Sequence, residues 1–69
     1  MIRHFVSVIL PLPLKQLFTY ELEEAEYQFL LPGMRVAVPF GKSKVYTALV
    51  YSLENTFEGT YEPKRILSI

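Results

Sequence analysis

A short alternating segment with a turn at each end constrains the fold of this chain more than any other feature. Residues 34–40 place apolar side chains at every second position, which is the period of a β-strand. One face of this strand carries Met34, Val36, Val38 and Phe40. Pro39 has no N–H for a strand ladder, and Gly41 allows a tight turn without obstructing a ligand. Because Lys42 and Lys44 follow, the segment predicts a rigid strand that ends in a binding loop.

Further strand patterns occur on both sides of this segment. They span residues 2–10, 17–22, 45–53 and 64–69. Leu31-Pro32-Gly33-Met34 has proline and glycine in the order typical of a type II turn. The glutamate-rich residues 21–29 predict a loop with no more than one short helical turn. Strands at this spacing predict an all-β fold, a small antiparallel β-barrel or sandwich of about five strands.

The length and composition limit what this fold can contain. With 69 residues the chain forms one small domain, residues 1–69, and no cysteine is available for disulfides or thiolate metal sites. The hydrophobic fraction of 51% is high for such a domain and suggests an apolar surface that meets a partner or another part of a longer chain. The apolar C-terminus at Ile69 leads us to expect a fragment of a longer protein.

The charges balance but are unevenly distributed. Seven basic and seven acidic residues give a formal net charge of zero, which argues against a strongly basic nucleic-acid arm. Acidic residues cluster within residues 21–26, whereas basic residues occur later in the chain. A net charge of zero is therefore compatible with a local positive patch. Residues 5–14 are too few and too interrupted to span a membrane, and they lack a signal-peptide cleavage pattern. We therefore expect a cytoplasmic protein with no membrane partner.

Common catalytic and metal-binding patterns are missing. His4 has no second histidine, cysteine or aspartate to complete a metal site, so a packed strand histidine is the expected role. Gly41-Lys42-Ser43 resembles the end of a phosphate-binding loop, but Val36 stands where that loop needs a glycine. The sequence predicts no catalytic residue, no metal ligand and no enzyme activity for these residues.

Aromatic and basic residues alternate along the chain in a pattern that is compatible with nucleic-acid binding. They are Phe18, Tyr20, Phe40, Tyr46 and Tyr51, with Lys42, Lys44 and Lys64. A nucleic-acid base can stack on an aromatic ring while an ammonium group meets its phosphate. The same aromatic rings can equally fill the interior of a small barrel. From the residues alone, both interpretations stay open.

Three segments together resemble a known family. Residues 9–14 (Ile-Leu-Pro-Leu-Pro-Leu), 17–20 (Leu-Phe-Thr-Tyr) and 31–42 are similar, in order and spacing, to the N-terminus of the PriA family of primosomal replication-restart helicases. The resemblance covers nearly the whole chain. It implies a non-catalytic 3′-end DNA-binding domain that precedes winged-helix and helicase domains. Such a domain captures the 3′ terminus of a nascent strand at a stalled replication fork.

The resemblance also implies the site residues. Phe18, Gly41 and Lys64 match the phenylalanine, glycine and lysine of the family's pocket. Thr19 stands where the family has an aspartate, so a neutral hydroxyl replaces the carboxylate that accepts a hydrogen bond from the 3′-hydroxyl. Tyr20, together with Lys42 and Lys44, is an accessory candidate. The two lysines would supply general attraction for DNA.

The resemblance implies cofactors and partners outside these residues. The ATP and zinc sites of the family belong to downstream domains, so no cofactor is expected here. The expected partners are the DNA 3′ end at branched forks and, through the full-length chain, other primosome proteins and single-stranded-DNA-binding protein. An alternative function is a protein-interaction or packing module that docks on the rest of a longer chain.

Overall fold

The computed structural model describes residues 2–69 as one antiparallel sheet with one short helix. The elements are β1 (His4–Ile9), β2 (Phe18–Leu22), α1 (Glu24–Phe29), β3 (Arg35–Phe40) and β4 (Lys44–Glu54). The strand order is β2-β1-β4-β3, and every neighbouring pair is antiparallel. The sheet curls into a half-barrel, which confirms the predicted all-β fold.

The C-terminal residues connect the two edges of the sheet. The carbonyl of Lys64 accepts a hydrogen bond from the N–H of Glu21 in β2 at 2.8 Å. Ala37 in β3 donates its N–H to Ser68 at 2.8 Å and accepts one from Leu67 at 2.7 Å. Residues 64–69 were predicted to form a strand, and they form two isolated bridges, one to each edge. This connection brings the edge strands β2 and β3 towards each other.

The alternation in β3 has the predicted consequence for burial. Val36 and Val38 are almost completely buried, whereas Arg35 is exposed and Ala37 is half-buried. The inner face of the half-barrel carries the rest of the core, which comprises Val6, Val8, Leu10, Tyr20, Leu22, Leu30, Ala48, Val50 and Ile66. The apolar face of β3 is therefore the inner face, and its end leads directly into the Gly41 turn.

The long strand β4 departs from simple alternation. Ser7 of β1 pairs with Ser52, but the next residue, Val8, pairs with Val50, so Tyr51 has no partner in the ladder. The extra residue reverses the side-chain alternation, as a β-bulge does. Leu49 and Tyr51 consequently face outward, whereas Leu53 packs against the core. Simple alternation along one strand would place these three residues on a single face.

The helix α1 has a cap that the sequence interpretation did not recognise. A side-chain oxygen of Glu26 accepts a hydrogen bond at 2.8 Å from the N–H of Glu23, just before the helix begins. Tyr27 stacks on His4 of β1 with ring centroids 4.3 Å apart, which confirms a packed strand histidine. After the helix, Met34 donates its N–H to Leu31 and Gly33 has a φ of +96°, as the predicted turn requires.

The described residues offer neither a cluster of metal ligands nor a membrane-spanning helix. Within residues 2–69, no three histidine, cysteine or acidic side chains are arranged to hold a metal ion. Among the helices in the same range, none has the length and apolar character needed to cross a membrane.

Candidate nucleic-acid interface

A cleft opens where the start of β2 comes close to the end of β3. Its volume is about 310 Å³. The residues that line it are Phe18, Thr19, Tyr20, Pro39, Phe40, Gly41, Tyr61, Glu62 and Lys64. All four residues that the sequence predicted for the site, Phe18, Thr19, Gly41 and Lys64, are among them. The curl of the sheet is what brings them together, since they lie on different edges and on the C-terminal segment.

One wall of the cleft is aromatic. The rings of Phe18 and Phe40 meet edge to face, with centroids 5.3 Å apart and an interplanar angle of 90°. Phe40 also meets the ring of Tyr46 at 5.9 Å, so each ring restricts the movement of its neighbour. Phe18 is half-buried. Phe18 therefore presents at the cleft an aromatic ring whose movement is restricted by Phe40, and a base can stack on it.

Tyr20 joins the two edge strands beneath the cleft. Its hydroxyl donates a 2.7 Å hydrogen bond to the carbonyl oxygen of Pro39. Burial raises the pKa of Tyr20, and the nearby Tyr61 raises it further, so the hydroxyl keeps its proton at neutral pH. The bond holds the Phe18 end of β2 against the Phe40 end of β3. Tyr20 thus reaches the cleft, but its hydroxyl is already used within the fold.

Gly41 begins the three-residue turn between β3 and β4 with open space around it. Its φ is +66°, in the left-handed region that favours glycine. A Cβ atom built on Gly41 would meet no heavy atom within 4 Å. No other residue of the protein therefore fills the space in which a side chain at position 41 would begin. Glycine is required there by its backbone conformation and by any ligand that occupies the cleft.

Lys64 brings a positive charge to the Gly41 turn. Its Nζ atom donates a hydrogen bond to the carbonyl oxygen of Gly41 at 3.2 Å. The backbone of Lys64 is held by the N–H of Glu21 in β2. Lys42 and Lys44 are exposed and do not line the cleft. The structure therefore places one of the three candidate lysines at the site and the other two next to it in the turn and at the start of β4.

Thr19 lines the cleft, and its side-chain hydroxyl has no hydrogen-bond partner among residues 2–69. It is half-buried, and its backbone N–H donates a 3.3 Å hydrogen bond to the hydroxyl oxygen of Tyr61. Within residues 2–69 the Thr19 hydroxyl makes no hydrogen bond to another protein group. It is therefore available to a ligand as a neutral donor or acceptor.

The sequence interpretation missed two residues of the cleft, Tyr61 and Glu62. The Tyr61 ring packs on Phe57 with centroids 5.1 Å apart, and Phe57 packs on Phe5 of β1 at 5.8 Å. Two aromatic residues four positions apart in an otherwise polar loop were the available signal. They attach this loop to the outer side of β1, so that its end reaches the cleft.

Glu62 is held by an ion pair with Arg3. The same guanidinium binds both carboxylate oxygens of Glu21, at 3.0 and 3.1 Å. These hydrogen bonds lower the pKa of Glu21 and raise that of Arg3. Arg3 therefore links the loop before Lys64 to strand β2. No local sequence signal predicts this link because its partners are distant in the chain.

Comparison with known proteins gives one match. The family model described as the 3′ DNA-binding domain (3′BD) of PriA matches residues 7–69. No curated protein and no solved structure matches the chain. The matched range contains every residue that lines the cleft.

Proposed function

Because the chain belongs to the family of PriA 3′ DNA-binding domains, we propose that it captures the 3′ terminus of a nascent strand at stalled replication forks. A DNA-binding domain of this family is not catalytic. The observation that supports the proposal most strongly is that Phe18, Thr19, Gly41 and Lys64 line a single cleft. The resemblance to the family assigns these residues to its pocket, with threonine at the position of the aspartate.

The chemistry of the cleft suits one terminal nucleotide. The base would stack on Phe18, a contact that is worth roughly 1–3 kcal/mol in single-strand binding proteins. The sugar would approach the open side of Gly41, and a phosphate would meet the ammonium of Lys64. None of these contacts reads the base sequence, so the proposed binding is independent of sequence.

The size of the cleft supports the same ligand. Small-molecule pockets have volumes of about 300–1,000 Å³. The cleft of about 310 Å³ lies at the lower end of that range. This volume is compatible with a ligand of about the size of one nucleotide. We therefore propose recognition of an end and not of a continuous strand.

The proposal is tested by comparing a linear with a circular oligonucleotide. Both have the same single-stranded sequence, and only the linear one has a 3′-hydroxyl end. We expect the linear oligonucleotide to bind about tenfold more tightly in a fluorescence titration, since loss of one stacked and charge-paired nucleotide has an effect of that order. Equal affinity for the two forms would overturn the proposal.

We further propose that the domain functions within a longer cytoplasmic replication-restart helicase. The resemblance to that family supports ATP and zinc sites in downstream domains. It also supports contacts of the full-length chain with other primosome proteins and with single-stranded-DNA-binding protein. Pull-down of these proteins by a full-length chain, and not by residues 1–69 alone, is the expected result.

A second candidate function is a packing module for the rest of a longer chain. The outer face of the sheet carries Ile9, Leu49 and Tyr51, which are 43%, 40% and 57% exposed. Such an apolar face is typical of a surface that contacts another protein segment. Negligible and equal affinity for oligonucleotides with 3′-hydroxyl and 3′-phosphate ends would favour this function over DNA binding.

A further inference from the structure

Glu62 is the one acidic residue among those that line the cleft. The other lining side chains are aromatic or small, apart from the Thr19 hydroxyl and the Lys64 ammonium. The Glu62 side chain is largely exposed, so its carboxylate remains accessible to a ligand. We infer that Glu62 determines which 3′ end the cleft accepts, by favouring a hydroxyl and excluding a phosphate. This inference rests on the proposed function, because it concerns the same terminal nucleotide.

The position of Glu62 is fixed from both sides of the chain. Tyr61 is anchored by its ring on Phe57 and by its hydroxyl, which accepts the N–H of Thr19. Pro63 is buried, and its ring restricts the backbone. Arg3 holds one carboxylate oxygen, Oε1. Within residues 2–69 the second oxygen of Glu62 accepts no hydrogen bond from the protein.

The free oxygen provides the chemistry for a choice between the two ends. A 3′-hydroxyl can donate a hydrogen bond to it, and charged acceptors form hydrogen bonds about twice as strong as neutral ones. A 3′-phosphate has no such donor and brings negative charge towards a carboxylate. Because the Glu62 side chain is 77% exposed, water screens this repulsion and keeps its effect modest. The carboxylate oxygens of Glu62 therefore favour a 3′-hydroxyl end and disfavour a 3′-phosphate end.

Lys64 and Arg3 oppose this effect, and both are already engaged. The Lys64 ammonium donates to the carbonyl of Gly41, and the Arg3 guanidinium is shared between Glu21 and Glu62. A terminal phosphate would have to compete for these cations with partners that the fold supplies. We therefore expect the carboxylate of Glu62 to determine the preference for a 3′-hydroxyl end over a 3′-phosphate end.

The test measures the ratio of the dissociation constants for 3′-phosphate and 3′-hydroxyl oligonucleotides of the same sequence. We expect a ratio of about five for the wild type, the effect of two like charges about 4 Å apart in water. Glu62→Gln should reduce the ratio towards one, mainly by strengthening the binding of the phosphate. Glu58→Gln is the matched control, since Glu58 is exposed in the same loop, does not line the cleft and changes the net charge equally.

Arg3→Gln separates the charge of Glu62 from its role in holding the loop. It breaks the same ion pair as Glu62→Gln but leaves the carboxylate in place. If the charge acts directly, Arg3→Gln raises the ratio while Glu62→Gln lowers it. If the ion pair only fastens the loop, both variants weaken binding to both ends alike, and the inference is wrong.

The remaining outcomes are also decisive. A wild-type ratio near one, or equal ratios for Glu62→Gln and Glu58→Gln, would overturn the role of Glu62. The proposed function is judged separately by the preference of the wild type for a linear over a circular oligonucleotide. If that preference is present and the ratio does not respond to Glu62, only the present inference fails.

Discussion

The Nζ atom of Lys64 donates a hydrogen bond at 3.2 Å to the carbonyl oxygen of Gly41, across 23 positions of sequence. This bond connects the C-terminal segment to the turn between β3 and β4. It places the cation beside the residue that leaves space for a ligand. The two residues were predicted separately for the site, and the structure joins them directly.

The proposed binding site requires the open space at Gly41. We expect Gly41→Asn to weaken binding of a 3′-hydroxyl oligonucleotide by about tenfold or more, because the new side chain occupies space that a stacked terminal nucleotide needs. Asparagine tolerates a positive φ better than other side chains, so the fold should persist. Fluorescence titration measures the affinity, and thermal unfolding measures the stability.

Gly33 supplies the control for Gly41. It also has a positive φ with no atom within 4 Å of a built Cβ, and it does not line the cleft. Gly33→Asn should therefore lower the unfolding temperature about as much as Gly41→Asn while leaving the affinity unchanged. Equal losses of affinity in the two variants would place the ligand elsewhere.

Lys64 contributes charge at a defined position. Lys64→Met keeps the aliphatic stem and removes the ammonium, so we expect weaker binding and a smaller dependence on salt. The slope of log K against log salt concentration should fall by about 0.7, the value for one phosphate contact on a single strand. Lys15→Met is the control, since Lys15 is exposed and does not line the cleft. An unchanged slope for Lys64→Met would contradict a phosphate contact.

In the proposed site, Thr19 offers a 3′-hydroxyl only a neutral hydrogen-bond acceptor. Thr19→Asp introduces a charged acceptor, and hydrogen bonds to such acceptors are about twice as strong as neutral ones. We expect the variant to bind a 3′-hydroxyl end more tightly and a 3′-phosphate end less tightly than the wild type. Thr47→Asp, on the exposed face of β4, carries the same charge change and should alter neither preference. An unchanged preference in Thr19→Asp would remove Thr19 from the site.

Tyr20 holds the two edges of the sheet together. Tyr20→Phe removes the hydroxyl that donates to Pro39 and should lower the free energy of unfolding by about 1 kcal/mol, the usual net contribution of such a bond. Urea unfolding measures this change. Tyr51→Phe is the control, since Tyr51 is exposed on the outer face. Comparable losses in both variants would contradict the role of the Tyr20 hydrogen bond.

The same tyrosine predicts a loss of stability at alkaline pH. Burial raises the pKa of Tyr20 in the folded state. An unfolded tyrosine ionises near pH 10, so above about that pH the unfolded state releases its proton first and gains stability. The free energy of unfolding should fall as the pH rises through the folded-state pKa, and the fall should be smaller in Tyr20→Phe. Urea titrations at several alkaline pH values test this difference.

The sequence predicted much of the fold because its signals are local. The alternation in β3 and the Leu31–Met34 turn depend on neighbouring residues, and both are found as expected. The bulge at Tyr51 was missed, since it depends on the register between β4 and β1. A pattern within one strand does not contain that register. The outward position of Leu49 depends on how β4 pairs with β1, and the alternation within β4 does not determine it.

The candidate site was predicted through resemblance and not through local pattern. Phe18, Gly41 and Lys64 come together only when the sheet curls, and spacing along the chain gives no measure of that curl. Glu62 was missed for the same reason, since its position depends on an ion pair with Arg3, near the other end of the chain. Long-range contacts of this kind have no signature in a single sequence.

The central claim is that the terminal nucleotide of a DNA strand occupies the cleft. Titration of a short 3′-hydroxyl oligonucleotide into the ¹⁵N-labelled protein, followed by amide chemical shifts, tests this claim most directly. The account predicts that the largest changes occur at Phe18, Thr19 and Gly41, with small changes on the outer face of the sheet. Changes centred on Leu49 and Tyr51, with none at the cleft, would contradict it.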